Sequence, residues 1–220
     1  PLFEKYGAHA TFFVSGEFDP PAVRTAKRLM AAGHTIGLHG QHHANAPEAI
    51  AEKGAEGFLA DEVTTVRRQC GVSYIPVRTY AYPNCRHDAA SDEFLLKHFD
   101  RLRAGLGKIR PYDPKGEKRA DLKPLATDDR VFFPVAELPS RRVLNTLLVG
   151  EAYNTDIDDL VACVQRAGAR KEVLVAASHG ISPDARHINM KTEWLEKILA
   201  AAQASGVSVL GYDEIPLETK

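Results

Sequence analysis

Short β-rich runs alternate with amphipathic helical stretches along nearly the whole chain, and this alternation constrains the fold more than any other feature. Residues 8–15 (AHATFFVS) are dense in aromatic and β-branched side chains and stop at Gly16, as a buried strand does. After Asp19-Pro20-Pro21, the apolar positions Val23, Ala26, Leu29 and Met30 recur at helical spacing and end at Gly33. The prolines suit a helix start and the glycine suits its carboxyl end. Residues 34–39 read as a second strand, and residues 47–69 as a long polar helix weakened by Gly54 and Gly57. Residues 77–82 read as a third strand closed by Pro83, residues 89–99 as a helix, and Arg101–Gly105 as a further strand.

Residues 108–129 carry prolines and many charges with no clean period, which predicts a long surface loop bordering a binding site. Residues 131–135 are strand-like, and residues 156–166 predict a helix with Thr155 as its cap. The stretch 172–178 (EVLVAAS) reads as the clearest buried strand. A helix over 190–204 and a strand over 207–212 close the series. No internal repeat or linker divides the chain, so one domain over residues 1–220 is expected. Its class is parallel α/β, either an open doubly wound sheet or a barrel, and periodicity alone does not separate the two.

Composition removes several functions. Lys and Arg total 28 against 29 Asp and Glu, a formal net charge of -1, so no bulk basic surface exists to hold nucleic acid. No run approaches the roughly 18 apolar residues of a membrane span, and the amino-terminal residues do not read as a secretory signal. The 3 cysteines, Cys70, Cys85 and Cys163, form no CxxC pair, which argues against a cysteine zinc site or a disulfide framework. No GxGxxG or GxxxxGK[ST] follows a strand, so dinucleotide and P-loop chemistry have no support.

Histidine spacing is where chemistry gathers. In Gly33-His34-Thr35-Ile36-Gly37-Leu38-His39-Gly40-Gln41-His42-His43, a short strand delivers His39 at its carboxyl end and His43 follows four residues later. Carboxyl ends of parallel strands are where α/β sites collect. One helical turn after His39 would aim both imidazoles at one metal ion. A pair of solvated loop histidines fits the same spacing. His34 opens the strand and His42 is out of phase, so both read as surface or structural residues. Ser178-His179-Gly180 places His179 at the tip of the strand EVLVAAS, where a general acid or base would sit, or a histidine bonded to backbone. Ser178 has no GxSxG elbow. In Tyr80-Ala81-Tyr82-Pro83-Asn84-Cys85 the proline sets a turn that leaves the Asn84 amide able to face a cleft, as an oxyanion donor does.

In this order, PLFEKYGAHATFFVSG, AAGHTIGLHGQHHAN, RTYAYPNCRHD and VLVAASHGI resemble the polysaccharide deacetylases, the carbohydrate esterases of family four. The likeness is weakest over residues 108–154. The resemblance implies a distorted (β/α) barrel of about seven parallel strands and a divalent metal, commonly zinc, bound by an Asp and two His. It also implies hydrolysis of an acetylated carbohydrate or a related amide or ester. A metal ion can lower the pKa of bound water and stabilise a tetrahedral oxyanion. By position, His39 and His43 match the metal histidines, His179 the late general acid and Asn84 the oxyanion amide, while Tyr82, Pro83 and Ala177 border the substrate. An extracytoplasmic or cell-surface setting is implied too.

Departures from the family are equally specific. The motif Thr-Phe-Asp-Asp-Gly, which supplies the base and the third metal ligand, is absent. Gly16-Glu17-Phe18-Asp19-Pro20 follows the wrong strand and does not replace it. Ala81 stands where many members have an Arg, and Cys85 where a Gly is usual. Trp194 falls in the final helix as a core residue. Either the first strand lies upstream of Pro1, or the chain is an inactive relative that binds glycan or a partner. Oligomeric state is not encoded in any of these motifs.

Overall fold

The computed structural model describes residues 2–106, 109–113 and 122–218. Helix α1 (Leu2–Lys5) precedes β1 (Thr11–Val14), α2 (Pro20–Ala31), β2 (Thr35–Leu38), α3 (Ala46–Leu59), α4 (Thr65–Val72) and β3 (Thr79–Ala81). Then come α5 (Ala89–Leu95), β4 (Arg101–Gly105), β5 (Phe132–Pro134), β6 (Val143–Leu148) and α6 (Ile157–Arg170). The chain continues through β7 (Glu172–Leu174), β8 (Ala176–Ala177), β9 (Ile181–Ser182), β10 (Met190–Lys191) and α7 (Thr192–Ala204). Six strands hydrogen-bond in the order β1-β2-β3-β4-β6-β8. Pairing is parallel for β1 with β2, β2 with β3, β3 with β4 and β6 with β8. The class is α/β with a mostly parallel sheet, as the alternation predicts. Among the described residues no helix is long and apolar enough to cross a membrane.

The chain folds as two compact units. One comprises His9–Ala104, Pro139–Leu144 and Leu210–Lys220. Its core packs Ile36 and Leu38 of β2, Tyr80 of β3 and Leu102 of β4 with Phe58, Val66, Leu95 and Phe99. Helix α2 starts where Asp19 accepts a hydrogen bond from Ala22 N at 2.8 Å, with Pro20 and Pro21 already at the helical φ. The long helix expected over 47–69 is interrupted twice. Gly54 leaves helical geometry at φ 75°, and a π-turn at Ala60–Thr64 adds a residue before α4.

The other unit comprises Pro1–Ala8, Gly105–Leu138 and Asn145–Val209. Leu147, Leu160, Cys163, Trp194, Leu195 and Leu199 form its core, so Trp194 is the packing residue it was expected to be. Three expectations are corrected here. Asp156, not Thr155, caps α6 by accepting from Asp159 N at 2.9 Å. Thr155 is instead buried, its hydroxyl paired with both backbone groups of Gly150. The stretch EVLVAAS is not one buried strand. Residues Glu172–Leu174 pair antiparallel with β5, then Ala176–Ala177 pair in parallel with β6, and both pieces are partly exposed. Arg166 fixes the first piece by binding the Glu172 carboxylate at 2.8 Å. The third correction concerns 207–212, which is not a strand, although Tyr212–Glu214 form a short 3₁₀ turn. Strand β6 was not foreseen, and most of the expected loop 108–129 falls outside the described residues.

Candidate functional site

Parallel strands present their last residues at one edge, and β2 and β3 do so side by side, with Leu38 opposite Tyr80. His39 follows β2 directly. Its Nδ1 donates to the Ala81 carbonyl at 2.8 Å, so the ring is oriented by the backbone of β3 and carries its lone pair on Nε2. The His43 ring lies edge-on to it, with centroids 4.8 Å apart and planes at 84°. The spacing therefore brings the pair together, through a bend in which His43 takes a left-handed φ of 59° instead of one helical turn. Gly40 reaches φ 82°, and its carbonyl accepts from Ser15 Oγ at 2.8 Å. His34 accepts from Ala10 N through Nδ1 at 3.1 Å, the structural role expected of it, and burial pulls its pKa down.

Two imidazoles on one bend, one of them held by a carbonyl, fit two positions of a divalent metal site. Among the described residues no group of three or more His, Cys, Asp or Glu side chains is placed to hold a metal.

The segment after β3 is a tight turn at Pro83–Cys85, where Asn84 and Cys85 take successive left-handed φ values of 51° and 57°. A positive φ at Cys85 explains why glycine suits this place. Hydrogen bonds run from Cys85 N to Tyr82 O at 3.1 Å and from Arg86 N to Pro83 O at 3.0 Å, bypassing the Asn84 amide. Asn84 is exposed and its side chain donates to Asn45 Oδ1 at 2.9 Å. Cys85 Sγ accepts from Arg103 at 2.9 Å, and Arg103 itself lies beside Ala81 in register. Tyr82, expected along the substrate, is instead fully buried. Its hydroxyl donates to Asp92 at 2.7 Å, and burial pushes that hydroxyl's pKa well up. Pro83 is buried as well.

In the other unit, Ala177 ends β8 partly exposed, and His179 follows it exposed, its ring stacked on Tyr153 at 6.4 Å. Gly180 N donates to Asn189 Oδ1 at 2.8 Å, and a Cβ at Gly180 would displace that side-chain oxygen.

One residue near the histidine bend carried no sequence signal. Glu62 sits on the π-turn and is 3% exposed. Its Oε2 accepts from His42 N at 3.0 Å and from Ala44 N at 3.4 Å, and its carbonyl accepts from Gln41 N at 2.9 Å.

A family model described as polysaccharide deacetylase matches residues 1–98, the stretch that contains this bend and turn. A peptidoglycan deacetylase of Helicobacter pylori is 32% identical over 97 residues, covering 44% of this chain and 32% of that protein. A family-four carbohydrate esterase pseudoenzyme from Bacillus anthracis superposes with TM-score 0.52 at 13% identity, over 97% of this chain and 57% of that one. A family-four carbohydrate esterase from Streptomyces lividans, solved with acetate, gives 0.52 at 12% identity, over 94% and 81%. These two share the fold. The chain spans about a third of the curated relative's length and little more than half of the pseudoenzyme's. Residues 1–98, with their paired histidines and the turn after β3, are therefore similar to the polysaccharide deacetylases.

Proposed function

We propose that this chain belongs to a metal-dependent hydrolase that removes acetyl groups from an acetylated carbohydrate or a related amide or ester. The observation that carries the reading is the His39–His43 pair, held 4.8 Å apart with His39 oriented by Ala81, inside the family-matched residues. His39 and His43 would hold a divalent metal, zinc by family habit. When bound, such an ion supplies Lewis-acid polarisation and a more acidic water. The chain's own groups do the rest. The Asn84 amide, bypassed by the turn's own hydrogen bonds, donates to a developing oxyanion. The sequence resemblance supports His179 as the proton donor. Likeness to a peptidoglycan deacetylase supports a glycan substrate and action outside the cytoplasm.

Zinc titration and acetate release test this reading. His39→Ala and His43→Ala should each abolish stoichiometric zinc binding, and His179→Ala should keep the metal while losing turnover. Retained zinc in both of the first two variants defeats it. A second reading, a silent glycan-binding relative, rests on the described residues offering no third ligand. Glycan binding without acetate release at saturating zinc selects it.

A further inference from the structure

One acidic residue takes most of the amides of the bend that joins the two histidines. Of the four consecutive amides from Gln41 to Ala44, three end on Glu62: Gln41 on its carbonyl, His42 and Ala44 on one carboxylate oxygen. The left-handed φ of His43 is what lets the amides on either side of it converge on that oxygen, a backbone nest around an anion. Gly40 completes the fit, since a Cβ there would lie 2.5 Å from the same Oε2. The π-turn supplies the other half of the arrangement by adding a residue between α3 and α4, in a stretch where Glu62, Phe58, Val63 and Val66 are all buried.

A buried carboxylate is expensive, and a well-packed apolar residue of similar size would serve stability as well or better. The cost makes sense if the acceptor oxygen has a task that an apolar side chain lacks. We propose that Glu62 is the positioning residue of the histidine pair: it holds the 41–44 backbone in the strained form that brings His43 against His39. The inference rests on the metal-site reading, because the geometry it preserves is that of the two proposed ligands. It also assigns the π-turn a purpose, as the means of delivering a carboxylate to a backbone nest.

Two measurements on the purified protein test it. The first needs no metal: hydrogen exchange at the His42 and Ala44 amides in wild type, Glu62→Ala, Glu62→Asp and Glu62→Gln. Ala removes the acceptor, Asp withdraws it by one methylene, and Gln keeps one oxygen that can take both amides. Exchange should quicken at least tenfold in the Ala and Asp variants and stay near wild type in Gln. The second is zinc affinity by chelator competition, which should weaken on the order of 10–100-fold in Ala and Asp, the range seen when a supporting partner of a metal ligand is lost. Gln should stay within about threefold of wild type. If Ala fails to fold, Asp carries the same expectation with the charge kept. Unchanged exchange in both Ala and Asp overturns the proposal. Wild-type protein that binds no zinc sinks the metal reading instead, and the exchange data still decide the role of Glu62.

Discussion

His87 Nδ1 lies 3.0 Å from the Asp92 carboxylate, and the same carboxylate takes the Tyr82 hydroxyl at 2.7 Å while the His87 ring stacks on Tyr82 at 5.4 Å. The turn that follows β3 is thus tied to helix α5 by a charge that depends on pH. Hydrogen bonding to Asp92 raises the His87 pKa above its ordinary 6.5. A raised histidine pKa gives stability that is complete below pH 6.5 and fades as pH rises through the folded value. Thermal melts from pH 5.5 to 8.5 should therefore show a decline in wild type that His87→Gln flattens, worth under about 1 kcal/mol for this half-buried pair. Parallel curves for the two proteins would refute the assignment.

Gly40 has no room for a side chain. Its φ of 82° is unfavourable for any L-residue, and the added methyl would meet the Glu62 carboxylate. Gly40→Ala should cost about 2–4 kcal/mol in urea unfolding, from left-handed strain together with a displaced buried charge. Gly7, also at positive φ but with open space around its Cα, is the control, and Gly7→Ala should lose only about 1–2 kcal/mol.

Arg166 joins Glu172 at 2.8 Å and Asp129 at 2.7 Å, with its cation over the Phe132 ring at 4.1 Å. Its hydrogen bond holds the Glu172 carboxyl below the usual range. The sign is opposite to that of His87: this stability is present above the ordinary glutamate pKa and is lost as pH falls through the depressed value. Arg166→Gln should destabilise by about 3 kcal/mol at pH 7, and by progressively less toward pH 3. Equal losses at both pH values would contradict the ion-pair account.

The three thiols should separate under alkylation. Cys70 and Cys163 are fully buried, and burial pushes their pKa values up to about 11 and about 12. Cys85 is partly exposed on its turn, with Arg103 donating to the sulfur. Iodoacetamide on native protein at pH 8 should give one adduct, mapped by peptide mass spectrometry to Cys85. First labelling at Cys70 or Cys163 would mean that the core opens more readily than its packing implies.

The first strands and their helix were legible because each signal was local. Asp19, Pro20 and Gly33 mark the limits of α2 by the chemistry of helix ends, and the strand before His39 stops where glycine permits a bend. The histidine pair was legible from spacing, although the bend that joins the two rings was not. Glu62 was invisible for a different reason. It sits in a charged helical stretch 18 and 20 residues from the amides its side chain binds, and nothing in a helical pattern announces a π-turn. The run EVLVAAS misled because continuous apolar character reports burial potential without naming a partner strand, and here the run serves two. Strand β6 escaped notice because Asn145 and Thr146 interrupt its apolar run.

The bond from His39 to the Ala81 carbonyl has an evolutionary consequence. Every residue at position 81 brings the same carbonyl, so the tautomer of His39 is insulated from drift in that side chain. A lineage can exchange the side chain at this place and still inherit an imidazole facing the same way. The direction of the His39 ring and the identity of side chain 81 are therefore separable heritable traits in this scaffold.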